Sequence, residues 1–171
     1  MALMTSERLT IRQVTAADAN FILSLLNEPS FIEGIADKQV HSFEQAVKYI
    51  DDSFTKSYHE NGYGMYLVSL REGEVPIGIC GLIRRDYRDD FELGYAFAKA
   101  FWSKGYAQEA VKAVLDYGET ILKAKEFIAV TSMDNEASIK TLERLGFVFD
   151  KIEKLAAYDE ESRLYKLTVE S

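Results

Sequence analysis

The chain has 171 residues, 47% hydrophobic and 28% charged, with a formal net charge of -8 at pH 7. That length predicts one domain spanning residues 1–171 with a real core, and the acidic balance argues against nucleic acid and membranes as partners. The single cysteine, Cys80, permits no internal disulfide and suits a reducing, cytoplasmic setting; the opening residues lack a signal-peptide pattern, and no apolar run approaches a membrane span.

Leu9 and Ile11, alternating with polar residues, predict a first strand. Thr15 with Asp18 three residues on reads as a helix start, and Phe21, Ile22, Leu25 and Leu26 form its apolar stripe before Pro29. Ser30 to His41 reads as a loop containing Phe31, Ile32, Gly34 and Ile35. Ser42-x-x-Gln45 is a second capping box, opening a helix that runs to Asn61-Gly62 with Phe43, Ala46, Val47, Ile50 and Phe54 on one side. Tyr63 to Leu70 and Val75 to Arg84 predict a hairpin around Arg71 to Glu74, and the mixed charges from Arg84 to Asp90 a solvated turn. Beyond the central stretch, Lys125 to Thr131 reads as a strand and Asn135 to Leu145 as a helix ended by Gly146. Phe147 to Leu155 and Ser162 to Val169 form a last pair joined by Ala156 to Glu161. The predicted class is one α/β (α+β) domain with a mixed, mainly antiparallel sheet and helices on both faces.

The central stretch is Asp90 to Ala110. Phe91, Leu93, Tyr95 and Phe97 alternate with Glu92, Gly94 and Ala96, so one face is apolar and the other carries one carboxylate and two nearly absent side chains. Such a face invites a close neighbour, either backbone or ligand. A turn from Ala98 to Lys104 leads through Gly105-Tyr106-Ala107 into a helix with Ala110, Val111, Val114 and Leu115 inward. Unpartnered first-turn amides and the helix dipole make an anion site there, with Gly105 allowing close approach and Lys104 adding charge; an ordinary tight turn explains the same glycine. Neither G-x-x-x-x-G-K-[ST] nor G-x-G-x-x-G occurs.

Other residues have structural readings. Cys80 sits alone in an apolar strand, and His41 and His59 fall at helix ends without metal-ligand spacing, so no metal is expected. Asn135 is a candidate helix N-cap, Ser138 stands in that helix's first turn, and Trp102 is able to fill a turn. Glu92 either pairs with a cation or has its pKa raised for use as a base.

The order of strand, Lys104-Gly105-Tyr106-Ala107 opening a helix, strand, then Asn135-x-x-Ser138 with Leu145-Gly146-Phe147, resembles the GNAT superfamily of acetyl-CoA-dependent N-acetyltransferases. With the opening Arg8 to Ala19, it is most similar to the RimJ/RimL-like branch, and the likeness spans nearly the whole chain. The resemblance implies acetyl-CoA as co-substrate, held where Phe91 to Phe97 splays from Lys125 to Thr131. The pantetheine would meet backbone of Phe97 and Ala98, and the pyrophosphate the turn of Trp102, Ser103, Lys104, Gly105, Tyr106 and Ala107. Asn135 would hold the pantetheine arm. Glu92 would accept the amine's proton and Ser138, near the sulfur, would protonate the thiolate. Phe31, Ile32 and Gly34 would lie over the acceptor side, which binds a peptide N-terminal amine or a small amine. Two positions depart from the family pattern: Trp102 replaces a common Arg or Gln, and Leu142 a common Tyr. The expected protein is a monomer or homodimer; a non-catalytic acyl-CoA-binding module is the alternative.

Overall fold

The computed structural model describes residues 2–85, 89–154 and 160–170. Eight strands form one sheet in the order β1-β2-β3-β4-β5-β6-β8-β7. They are β1 (Met4–Thr5), β2 (Leu9–Gln13), β3 (Met65–Leu70), β4 (Pro76–Ile83), β5 (Phe91–Phe97), β6 (Glu126–Ser132), β7 (Val148–Glu153) and β8 (Ser162–Thr168). Every neighbouring pair is antiparallel except β5 and β6, which run parallel. Helix α5 (Tyr106–Thr120) connects those two, as a parallel pair requires a crossover. The expected end of the penultimate strand at Leu155, most of the Ala156 to Glu161 connection, and residues 86–88 of the charged turn lie outside the described residues.

The sheet has a core on each face. On one, Leu82, Leu93, Phe97 and Phe127 pack with Ala110, Val111 and Val114 of α5 and Leu142 of α6 (Glu136–Arg144). On the other, Leu67 and Ile79 pack beneath α1 (Ala19–Leu26), α2 (Pro29–Gly34) and α3 (Phe43–Tyr49). Helix α2 corrects the expected loop from Ser30. Pro29 occupies its first turn, where a fixed φ suits a helix and the missing N–H is not needed. Phe31 is therefore turned into the core.

The long helix expected from Phe43 to Asn61 is continuous but not uniform. A π-helical stretch, Ile50–Thr55, joins α3 to α4 (Lys56–Asn61). Its cause is legible in the spacing of Ala46, Ile50, Phe54 and Tyr58. A strict interval of four drifts around a helix of 3.6 residues per turn, and one wider turn restores the phase. The first three are buried, and the Tyr58 hydroxyl accepts from the Val14 amide and donates to the Met65 carbonyl. Ser42 caps α3 by accepting from the Gln45 amide, while the Gln45 side chain accepts from the His41 amide, one residue before the expected partner.

At the other end of β2, Arg12 donates twice to Asp18, at 2.9 and 2.8 Å, and the Thr15 amide donates to the same carboxylate. Burial works against ionising Asp18, but these hydrogen bonds together outweigh it and hold its pKa below the usual range. Asp18→Asn should cost roughly 1.5–3 kcal/mol at pH 7, the worth of hydrogen bonds to a charged group. Because the folded-state pKa is the lower one, this stability is full above about pH 4 and is lost as pH falls through the folded value. Urea unfolding of both proteins from pH 7 to pH 3 should show the gap closing; a gap independent of pH would assign the effect to packing.

Candidate active site

β5 is paired differently along its two edges. With β4 it keeps register from Gly78↔Phe97 to Ile83↔Glu92. With β6 it shares only Phe91↔Phe127, Glu92↔Ile128 and Leu93↔Ala129. Beyond Leu93, β6 follows β8, to which it is paired from Glu126 to Ser132, and parts from β5. Gly94–Phe97 thus present one backbone edge to an opening whose apex is at Leu93. Leu93, Tyr95 and Phe97 face α5 and α6, while Glu92, Gly94 and Ala96 face the α1–α4 side. Part of the small-residue face is already occupied: Met65 Sδ lies 3.2 Å from where a Cβ on Gly94 would stand.

Glu92, at the apex, is 3% exposed. Arg85 donates to both of its carboxylate oxygens, each at 3.3 Å. Of the two sequence readings, pairing with a cation is realised. Lys38, after α2, lies close enough for the Arg85 charge to act on it; desolvation and that charge hold its pKa below the usual lysine range.

The turn before α5 is shaped by two left-handed residues. Ser103 and Gly105 both have positive φ, 63° and 83°, and Gly105 is the N-cap. The first helical bond runs from the Glu109 amide to the Gly105 carbonyl, so the preceding amides point off the helix end. Trp102 Nε1 donates to the Phe97 carbonyl at 2.8 Å and ties the turn to the end of β5. The Ala98 amide donates to the Ile77 carbonyl at 2.9 Å. The backbone of Phe97 and Ala98, expected to meet a pantetheine, is therefore partly engaged within the protein. The Ala98 N–H is already used, and the Phe97 oxygen keeps one lone pair.

A residue that the sequence pattern does not single out reaches this turn from 96 positions away. Arg8 donates to the Lys104 carbonyl at 3.0 Å and to Glu109 at 2.8 Å, and its guanidinium lies 4.3 Å above the Tyr106 ring. Its Nη2 lies 3.3 Å from where a Cβ on Gly105 would be. Ser6 and the Arg8 amide also donate to Glu109. Burial opposes ionisation of Glu109, and these bonds overcome it, keeping the group below the usual carboxylate range. The cation missing at Trp102 is thus present at the same turn, supplied by the chain's opening segment.

On α6, Asn135 is an N-cap, its side-chain oxygen accepting from the Ser138 amide at 3.1 Å. Ser138 is half-buried, and its Oγ lies 2.9 Å from the Tyr95 hydroxyl. One turn on, Leu142 is buried. Phe31 belongs to the helix-side core, whereas Ile32 and Gly34 are exposed. Burial pushes the Cys80 thiol far above its ordinary range, as an inert core cysteine requires. Among the described residues no cluster of three His, Cys, Asp or Glu groups suits a metal, and no helix is long and apolar enough to cross a membrane.

Residues 8–148 match the family described as acetyltransferase (GNAT) domain. An uncharacterized N-acetyltransferase of Bacillus subtilis (strain 168), YoaA, is 29% identical over 85% of this chain and 82% of its own. Spermidine N(1)-acetyltransferase of Escherichia coli (strain K12) is 23% identical over 80% and 71%. RimL, a ribosomal L7/L12 alpha-N-protein acetyltransferase solved with coenzyme A, superposes with a TM-score of 0.82 at 18% identity, covering 99% of this chain and 98% of that one. The chain belongs to the GNAT acetyltransferase family.

Proposed function

We propose that this acetyltransferase moves the acetyl group of acetyl-CoA onto a primary amine, a protein N-terminal α-amine or a small amine, by direct attack in a ternary complex. The observation that carries the reading is the opening between β5 and β6, with a glycine-capped helix start at one end and Glu92 and Ser138 near its apex. The residues fit a diphosphate: amides around Lys104, Gly105, Tyr106 and Ala107 with no backbone partner among the described residues, and a guanidinium beside them. Trp102 and Ser103 fix the turn. Asn135 and the backbone edge of Gly94–Phe97 line the pantetheine path, and Ile32 and Gly34 border the acceptor side. Acetyl-CoA, when bound, supplies an acyl group already activated as a thioester.

Glu92 accepts the amine's proton through water, Arg85 orienting its carboxylate. Among the described residues Asp18 is the other buried carboxylate, and it is committed to Arg12 and the Thr15 amide. Ser138 gives a proton to the departing thiolate. Near pH 7 roughly a tenth of an α-amine is neutral, against well under a thousandth of a lysine amine. An α-amine thus demands least of the base. The likeness to RimL and the opening from Arg8 to Ala19 support the RimJ/RimL-like branch.

The test is thiol release from acetyl-CoA by the purified protein across N-terminal peptides, polyamines and small amines, beside calorimetric binding. Acetyl-CoA binding with no release against any amine would favour a binding module. Gly105→Val should weaken acetyl-CoA binding about tenfold or more, on the order of 1.4 kcal/mol, in a folded protein. Both the lost approach and the strain of valine at φ 83° act in that direction. Unchanged affinity would move the diphosphate away from this turn.

A further inference from the structure

Tyr95 stands two residues past the last β5–β6 rung, in the diverging part of β5, on the face toward α6. Its hydroxyl is 2.9 Å from Ser138 Oγ, so a strand residue on one side of the opening is bridged to a helix residue on the other. A half-buried phenol needs a partner, and satisfying it is the simplest account of the bond. The chemistry around Ser138 asks for more. An aliphatic hydroxyl holds its proton far more tightly than a thiol, so a serine that protonates a thiolate is left as an unfavourable alkoxide unless another group refills it at once. A phenol, at about 10 against about 8.5 for a thiol, is the better-matched source. Ser138 Oγ is able to accept from Tyr95 and still aim its own O–H elsewhere. The neighbouring hydroxyl, Thr141, donates to the Ala137 carbonyl at 3.0 Å, and Leu142 offers no proton.

We propose that Tyr95 is the proton reservoir behind Ser138, a positioning and relay residue on the strand that recharges the serine as the serine protonates the leaving sulfur. The proposal rests on the acetyltransferase reading above. As the amine nitrogen bonds to the acyl carbon, the C–S bond breaks and its electron pair goes to sulfur. Sulfur takes the Ser138 proton, Ser138 Oγ takes the Tyr95 proton, and the tyrosinate regains one from solvent, to which Glu92 releases the proton it took from the amine. Burial raises the Tyr95 pKa, and the hydrogen bond with Ser138 acts against that rise.

The experiment compares wild type, Tyr95→Phe, Ser138→Ala and the double variant in single-turnover acetyl transfer, with proton inventories in H2O/D2O mixtures. Tyr95→Phe should slow transfer about tenfold or more, with the acetyl-CoA KM within about twofold. The double variant should be no slower than Ser138→Ala alone, since one residue acts through the other. The wild-type inventory should be bowed, with two protons in flight, and that of Tyr95→Phe linear. A wild-type rate in Tyr95→Phe, additive losses in the double variant, or an unchanged inventory would each overturn the relay. If Tyr95→Phe does not fold, 3,5-difluorotyrosine at position 95 keeps the hydroxyl and makes it more acidic. The basic limb of the rate–pH profile then moves to lower pH if the relay operates and stays in place if it does not. An unaltered protein that transfers no acetyl group removes both readings; an active one indifferent to Tyr95→Phe removes the relay alone.

Discussion

Glu92→Gln should lower kcat for amine acetylation by roughly a hundredfold or more at neutral pH, the usual contribution of a positioned acid or base. Acetyl-CoA affinity should change little, because Glu92 faces the α1–α4 side of the sheet, away from the α5 cradle. The residual rate should climb with pH as the amine loses its proton unaided. Glutamine keeps the shape and one oxygen for Arg85, but gives up the charge that the 3.3 Å pair uses. A second outcome is therefore distinguishable. If Glu92→Gln melts at a lower temperature yet turns over at the wild-type rate per folded molecule, Glu92 serves Arg85 and the proton goes elsewhere.

Gly81→Ala should be among the most destabilising single changes in the sheet. A Cβ there would stand 2.1 Å from the Gly64 carbonyl oxygen and 2.6 Å from Met65 Cα, both backbone, so no side-chain rotation relieves it. Gly81 pairs with Met65 on one side and with Gly94 on the other, so any backbone shift passes into β3 and β5 together. Overpacking of this kind costs typically 1–3 kcal/mol and occasionally more. The upper end is expected here, a fall of about 6–12 °C in Tm for a chain of this size. A calorimetric shift below about 2 °C would mean that the β3–β4 approach is softer than these distances imply.

Features governed by near neighbours in the chain are legible in the amino-acid sequence. β5 spans the expected Phe91–Phe97, Gly146 adopts the left-handed conformation expected of a helix end, and Asn135 caps α6. Each depends on alternation, backbone sterics or a side chain reaching three residues along. The π-helical stretch is also encoded locally, as the fourfold spacing of Ala46, Ile50, Phe54 and Tyr58, but periodicity near 3.6 absorbs such spacing into an α-helix. Contacts made by folding are not legible in this way. Arg8 meets Glu109 across 101 positions and Tyr95 meets Ser138 across 43, and nothing in either local pattern names its partner. Glu92 shows the boundary most directly. Its two possible fates follow from alternation, yet its cation comes from the far side of a turn that composition describes only as charged.

The three rungs between β5 and β6 give the sheet a seam. β1 to β5 form one antiparallel panel and β6, β8 and β7 another, and α5 is the chain that crosses between them. Within the interior of the sheet the backbone ladder is shortest at this seam, so the two panels are held together there mainly by the α5 core they share. A ligand that touches Gly105 in one place and α6 in another spans that seam and resists its opening. At a concentration about 100 times its Kd, such a ligand would add about 2.7 kcal/mol to stability. The co-substrate would then act as a clasp, making the enzyme hardest to unfold and to cleave when it is charged for reaction.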